Sequence, residues 1–316
     1  MKIYAIMTLI LSSVLLFLPF VTLNMKEAPT NEPSSTSVVS ENETVKVLLT
    51  ASGNTKEIPL NEYLVGVVAA EMPASFETEA LKAQAVASYT YEKYLKENAN
   101  DDSAFYITDS SSFNQAYLSE EDRKALWQNK FESYNEKITN AVNSVLGEYL
   151  SYDGKTALTL YHAISPGKTA DCKDVFGEAL AYLESVTAPG DKLSPDYITE
   201  VSFLKKEALA LINNNSPETE GREFSFKITD SNENGYVISA AVCKKEFSNK
   251  DLRNIFSLPS PYFTARDEKD TLVFTVYGKG HGVGMSQYSA DYMARQSATY
   301  KDILEYFYKG TKISAR

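Results

Sequence analysis

A proline at position 73 separates two stretches built to form helices, and this break limits the folds open to the chain more than any other feature. Proline cannot continue a helix, and it biases Met72 before it toward extended angles. On the N-terminal side, Leu64, Val67, Val68 and Glu71 fall at i, i+3, i+4 and i+7, one face of a helix predicted from about Asn61. On the C-terminal side, TEALKAQAVASYTYEKYLKEN reads as a second helix reaching about Asn98, with Ser75 as its N-cap and Glu77 and Glu79 in its first turn. Ala83, Ala87, Tyr91 and Tyr94 form one stripe, whose small members allow close helix packing. So short a break implies a helical hairpin, with Glu71 near the N-terminal half of the second helix and Lys82 and Gln84 as its nearest polar candidates.

Glu71 is the acid at the end of an otherwise apolar run, VGVVAAEMPASF. Its stripe position points it toward the core, and its place in the last turn sets it against the negative end of the helix dipole. Desolvation and dipole both raise a carboxyl pKa, and an acid that keeps its proton near neutral pH can act as a general acid. The alternative is a helix-end glutamate that turns out to water.

The 316 residues are 43% hydrophobic and 23% charged, enough for one large or two modest domains. The net charge of -11 argues against a nucleic-acid groove, so no nucleic acid is expected as partner. An uncharged apolar stretch from Ile3 to Leu23 follows Lys2 and is long enough to cross a bilayer as a helix. No small-x-small cleavage site follows it, which favours an uncleaved anchor over a removed signal peptide. The expected organisation is a membrane anchor over 1–25, a flexible linker over 26–44 rich in Pro, Ser, Thr and Glu, and a catalytic domain over 45–316 on the extracytoplasmic side.

VKVLLT (45–50) reads as a first strand. A helix is predicted over 119–146, short strands at EYLSY and ALTLYHA, and a helix from about Glu200 to Ile212. Alternating strands return at EFSFKIT, GYVISAAV and TLVFTVYG, before helices at Ser286–Gln296 and Tyr300–Tyr308. With helices early and strands late, the expected class is α+β: an N-terminal helical hairpin packed on mixed and antiparallel β structure, preceded by one transmembrane helix. GKGHGVGMSQYS carries four alternating glycines around His281, more than a turn needs, and suggests a ligand-facing loop. Cys172 and Cys243 are expected as two buried thiols rather than a disulfide scaffold. No zinc pattern is present, and neither metal nor cofactor is expected.

Together, LNEYLVGVVAAEMPASFETEALKAQAVASYTY, ITDSSSFNQAY, YHAISPGKT, DVFGEALAYLESV and GHGVGMSQYSADYMARQ resemble, in order, the stage II sporulation protein D family of lytic transglycosylases. The resemblance implies cleavage of peptidoglycan glycan strands between N-acetylmuramic acid and N-acetylglucosamine to leave 1,6-anhydro ends during engulfment, with Glu71 as the catalytic acid. By the same resemblance, Lys82, Tyr161, His162, Ser165, His281 and Gln287 line the substrate groove, and a cell-wall amidase is the expected protein partner. One carboxyl suffices for this chemistry because the sugar's own hydroxyl attacks the anomeric carbon, whereas an ordinary glycosidase needs a second acid. Asp109, the other acid in these motifs, reads as structural.

The chain departs from the family pattern in several places. Tyr89 stands where the family usually has Arg, Ser289 where Gly is usual, and the Cys and His that hold a metal in some members are absent around TDSSSFNQAY. The expected function is therefore a membrane-anchored lytic transglycosylase. The first alternative is a weakly catalytic partner that recruits or stimulates an amidase, and the second is a wall-binding structural protein.

Overall fold

A computed structural model describes residues 43–100 and 103–315. The proposed anchor and nearly all of the linker lie outside the described residues, among which no helix is long and apolar enough to cross a membrane.

β1 (Thr44–Leu49) and β2 (Asn54–Pro59) form an antiparallel hairpin, and β2 feeds directly into α1 (Leu60–Glu71). The predicted apolar stripe of α1 is buried: Leu64, Val67 and Val68 are at most 1% exposed. The helix ends as the proline requires, Met72 taking extended angles while its N–H bonds the Val68 carbonyl. α2 (Thr78–Glu97) begins later than expected, with Glu77 rather than Ser75 at its N-cap and no side-chain cap. Residues 73–76 form a turn instead, closed by Phe76 N–H on the Pro73 carbonyl (2.9 Å). Lys137 Nζ holds that turn by donating to the carbonyls of Ala74 (3.1 Å) and Phe76 (2.5 Å), and Glu77 N–H is satisfied by Asp291. Tertiary partners thus replace the local cap.

β3 (Ile107–Thr108) pairs in parallel with β1. The helix expected over 119–146 is two helices, α3 (Glu120–Trp127) and α4 (Phe131–Ser144), broken at Gln128, whose φ is +49°. Trp127 packs there against Phe131 and Tyr134. β4 (Glu148–Tyr152) and β5 (Lys155–Thr156) make a hairpin, but of ALTLYHA only β6 (Tyr161–His162) is strand. The short α5 (Cys172–Phe176) follows.

The segment expected as a helix from Glu200 opens as a strand, β7 (Ile198–Leu204), and only then turns into α6 (Lys205–Asn215). Its exposure alternates along ITEVSFL, as a strand with one open face requires. β8 (Phe226–Ser231), β9 (Val237–Val242) and β10 (Lys245–Ser248) form one antiparallel sheet, and α7 (Asn249–Phe256) follows a capping box of Ser248 and Asp251. β11 (Phe263–Asp267) and β12 (Thr271–Tyr277) complete a second sheet with β7. Last come β13 (Met285–Ser286), parallel to β6, then α8 (Gln287–Arg295), α9 (Tyr300–Phe307) and β14 (Lys312–Ala315), which pairs with β4.

The class is α+β with several small sheets. Two apolar cores form. The first joins α1, α2, α4 and α9 through residues such as Val67, Ala83, Ala87, Ile138 and Phe307. The second lies within residues 201–276 and is rich in phenylalanine, with Phe274 ringed by Phe203, Phe226, Phe256 and Phe263.

Candidate functional site

Gly66, one turn and a half before Glu71 on α1, decides what reaches the carboxyl. A Cβ at this position would lie 2.3 Å from the Tyr117 ring and 2.6 Å from the Leu118 carbonyl oxygen. Only glycine lets the chain after β3 cross the helix so closely, and Leu118 N–H bonds the Gly66 carbonyl at 3.2 Å. That crossing delivers the Ala116 N–H to Glu71 Oε1 at 2.7 Å. From the other side, Gln287, the first residue of α8, donates through Nε2 to Glu71 Oε2 at 3.4 Å and to Gln84 Oε1 at 3.2 Å. Gln84 in turn donates to Ser88 Oγ at 2.9 Å.

Glu71 is partly buried at the end of its helix. Burial raises its pKa above the ordinary carboxylate value, and the two hydrogen bonds, which favour the ionised form, oppose the rise without cancelling it. No neighbouring carboxylate contributes to the shift.

Tyr161 stands in the same cluster. Its hydroxyl donates to Gln115 Oε1 at 2.6 Å, and Gln115 Nε2 donates to the Tyr63 hydroxyl at 2.9 Å and to the Ser88 carbonyl at 3.4 Å. Burial first, and then the charge of Glu71, push the Tyr161 phenol well above its ordinary range. Tyr63 is pushed up too, by burial first, against its hydrogen bond with Gln115, with Glu92 and, less, Glu71 adding to the rise.

The other expected site residues divide into those beside this cluster and those away from it. His162 is 4% exposed; its Nδ1 meets the Val283 carbonyl at 3.1 Å, and its Nε2 is buried without a hydrogen-bond partner. His281 lies 5.9 Å from it, ring to ring, with Nδ1 accepting from Val283 N–H. Burial drives the pKa of His162 down to about 4 and that of His281 to about 3, so both rings are neutral at pH 7. Ser165 is fully buried and donates its N–H to Asp191 Oδ2 at 2.6 Å. Lys82 does not join Glu71; it pairs with Glu79 Oε1 at 2.7 Å and sits over the Tyr300 ring.

The alternating glycines have a structural use. A Cβ on Gly284, at φ +72°, would come within 1.9 Å of the Leu160 carbonyl oxygen, so the loop packs its backbone against the strand that carries Tyr161. Asp109 is structural as expected, accepting from Thr50 N (2.9 Å) and Thr50 Oγ1 (2.7 Å). Cys172 and Cys243 are both buried free thiols, and burial pushes the Cys172 thiol up to about 11. Among the described residues no group of three or more His, Cys, Asp or Glu converges as a metal site would require.

Gln115 and Asp191 were not singled out from the sequence. Gln115 sits inside the FNQAY motif, whose polar middle was its signal. Asp191 lies in a plain Pro-Gly-Asp turn and carried none.

The described residues thus form an α+β domain with a partly buried helix-end acid, Glu71, that accepts from a backbone and a side-chain amide. A family model described as Stage II sporulation protein matches residues 50–152, the span that supplies Glu71, Gln84, Ser88 and Gln115. The chain is 34% identical to Stage II sporulation protein D of Bacillus subtilis (strain 168) over 99% of its own length and 96% of that protein's. It is also 34% identical to Stage II sporulation protein D of Bacillus amyloliquefaciens, over 85% of this chain and 78% of the relative. A more distant relative, the Amidase enhancer of Bacillus subtilis (strain 168), is 25% identical over 80% of this chain but only 40% of its own length. The chain belongs to the stage II sporulation protein D family, a family of sporulation proteins.

Proposed function

We propose that this chain is a peptidoglycan lytic transglycosylase, held at the outer face of the cell membrane by its N-terminal apolar segment and acting on the wall during engulfment. The observation that carries this reading is Glu71: a partly buried carboxyl with a raised pKa at the end of α1, hydrogen-bonded by Ala116 and Gln287. In the proposed reaction Glu71 gives its proton to the glycosidic oxygen of the departing N-acetylglucosamine. The 6-hydroxyl of the N-acetylmuramic acid then attacks its own anomeric carbon, and Glu71 takes up the hydroxyl proton, closing the 1,6-anhydro ring. The carboxyl ends as it began, and no water enters the products. Tyr161, with its hydroxyl held beside the acid, is placed to orient a sugar; His162 follows it in the chain, and its neutral ring lies 5.9 Å from that of His281.

Digestion of purified glycan strands tests this reading. The products are expected to carry 1,6-anhydro ends without new reducing sugar; new reducing ends would mark a hydrolase and refute it. A second reading, an amidase partner with weak catalysis of its own, draws support from the Amidase enhancer relative and from Tyr89. That residue is 2% exposed, a buried phenol where the family usually offers a charged arginine.

A further inference from the structure

Asp191 is a fully buried carboxylate that the proposed chemistry does not use. It accepts from three donors: Ser165 N–H on Oδ2 at 2.6 Å, Ser286 Oγ on Oδ1 at 2.6 Å, and Ser289 Oγ on Oδ1 at 2.7 Å. Burial raises its pKa, against these hydrogen bonds, and its charge is felt by the Tyr197 and Tyr236 phenols. A buried carboxylate survives only where its donors are well placed, so the cluster is costly to disturb.

Two of the three donors bracket a pair of residues, Gln287 and Tyr288. Ser286 is the N-cap of α8 and Ser289 lies in its first turn, with Ser289 N–H bonding back to Ser286 Oγ at 3.4 Å. Of the pair, Gln287 is 4% exposed and splits its amide N–H groups between Glu71 and Gln84. Ser289 is one of this chain's departures from its family. Here it both donates to Asp191 and accepts from Gly190 N–H at 3.2 Å, tying the 190–191 turn to the helix.

We infer that Asp191 is a positioning residue: it clamps the first turn of α8 so that Gln287 meets Glu71 at a fixed place. Gln287 is on this account a support for the acid rather than a sugar contact. The groups facing Glu71 are the Ala116 N–H, the Gln287 amide, and the phenols of Tyr63 on α1 and Tyr161 on β6. Of these, Gln287 is the one that Asp191 controls.

The inference goes beyond the proposed reaction, and its primary test does not need that reaction to occur. The Glu71 carboxyl is followed by carbon-13 NMR across a pH titration, its signal assigned by its loss in Glu71→Gln. Asp191→Asn turns one acceptor into a donor facing serine hydroxyls and releases the turn. Glu71 then loses a donor to its ionised form, and its titration is expected to move upward. Removing the Asp191 charge alone would move it downward, so the sign separates position from charge. Gln287→Ala is expected to shift Glu71 upward too, and the double variant no further than Gln287→Ala alone, because both act through one contact. A Glu71 titration that stays put or falls in Asp191→Asn, or that adds in the double variant, overturns the inference. Ser289→Ala removes one donor only and is expected to give a smaller upward shift. It decides the question if Asp191→Asn does not fold, and no shift there counts against the clamp. In glycan cleavage, which rests on the proposed function, Asp191→Asn is expected to lower kcat roughly tenfold at unchanged KM.

Discussion

Between Ile198 and Tyr277 the buried polar side chains are Ser216, Thr219 and Ser260; in the rest of the described domain they include Glu92, Arg123, His162, Asp191 and Asp291. The first region is a pair of antiparallel sheets with two helices over a phenylalanine cluster, and its interior does little but exclude water. The second region holds ionisable and hydrogen-bonded groups inside a core of alanine, valine and aromatic residues. Buried polar groups cost free energy unless each is satisfied, so a fold that keeps many of them in one place has a use for their positions. Glu71 lies in that region, as does the whole span matched by the family model. On the proposed function the difference separates stability from chemistry: the phenylalanine core serves the first alone, while the polar core serves both.

The contrast breaks most visibly if the phenylalanine core proves to matter for the acid. Phe274→Ala removes the ring at the centre of four other phenylalanine rings and is expected to cost about 3–5 kcal/mol in a denaturant melt. Where the variant is still folded, the Glu71 titration is expected to match wild type. A Glu71 shift in folded Phe274→Ala would join the two regions.

A smaller effect sharpens the other side. Glu92 is 1% exposed on α2, with Oε1 accepting from the Tyr106 hydroxyl at 2.6 Å and Oε2 lacking a partner. Burial, the largest cause, raises its pKa from 4.5 to about 7. The folded protein thus holds a proton that the unfolded chain has released, and stability falls as pH rises from about 4.5 to about 7, then levels. Glu92→Gln has no such proton to lose. It is expected to be more stable than wild type by about 2–3 kcal/mol at pH 8, with the difference fading toward pH 4. Melting temperatures at the two pH values measure it, and a constant gap would show that the charge is not the cause.

The helical hairpin and the place of Glu71 at its turn were legible because both follow from spacing within one helix and from Pro73. The same spacing argument could have gone further with Lys82. Two residues on a helix are about 200° apart, so Lys82 and Gln84 cannot face the same acid, and the structure sends Lys82 to Glu79. α7 carried a cap signal in Ser248 and Asp251, but eight residues are too few for periodicity to stand out. β7 was read as helix because its apolar residues run straight into those of α6, and only pairing with β12 settles the strand. Asp191 was invisible for a different reason. Its partners are Ser165, Ser286 and Ser289, far away along the chain, and no local pattern encodes a meeting in space. The contact between Gln287 and Glu71 spans 216 residues and is hidden in the same way.

The central claim is that one carboxyl, Glu71, performs the chemistry. Replacing it by glutamine keeps its shape and its acceptor for the Ala116 N–H, but removes the proton that moves. The direct measurement is the rate of glycan-strand cleavage by Glu71→Gln against wild type, with circular dichroism and melting temperature confirming an intact fold. The account predicts a folded protein with cleavage reduced by about 10²- to 10⁴-fold. Cleavage at the wild-type rate by folded Glu71→Gln would contradict it, and would leave Glu71 as a helix-end acid without a part in the reaction.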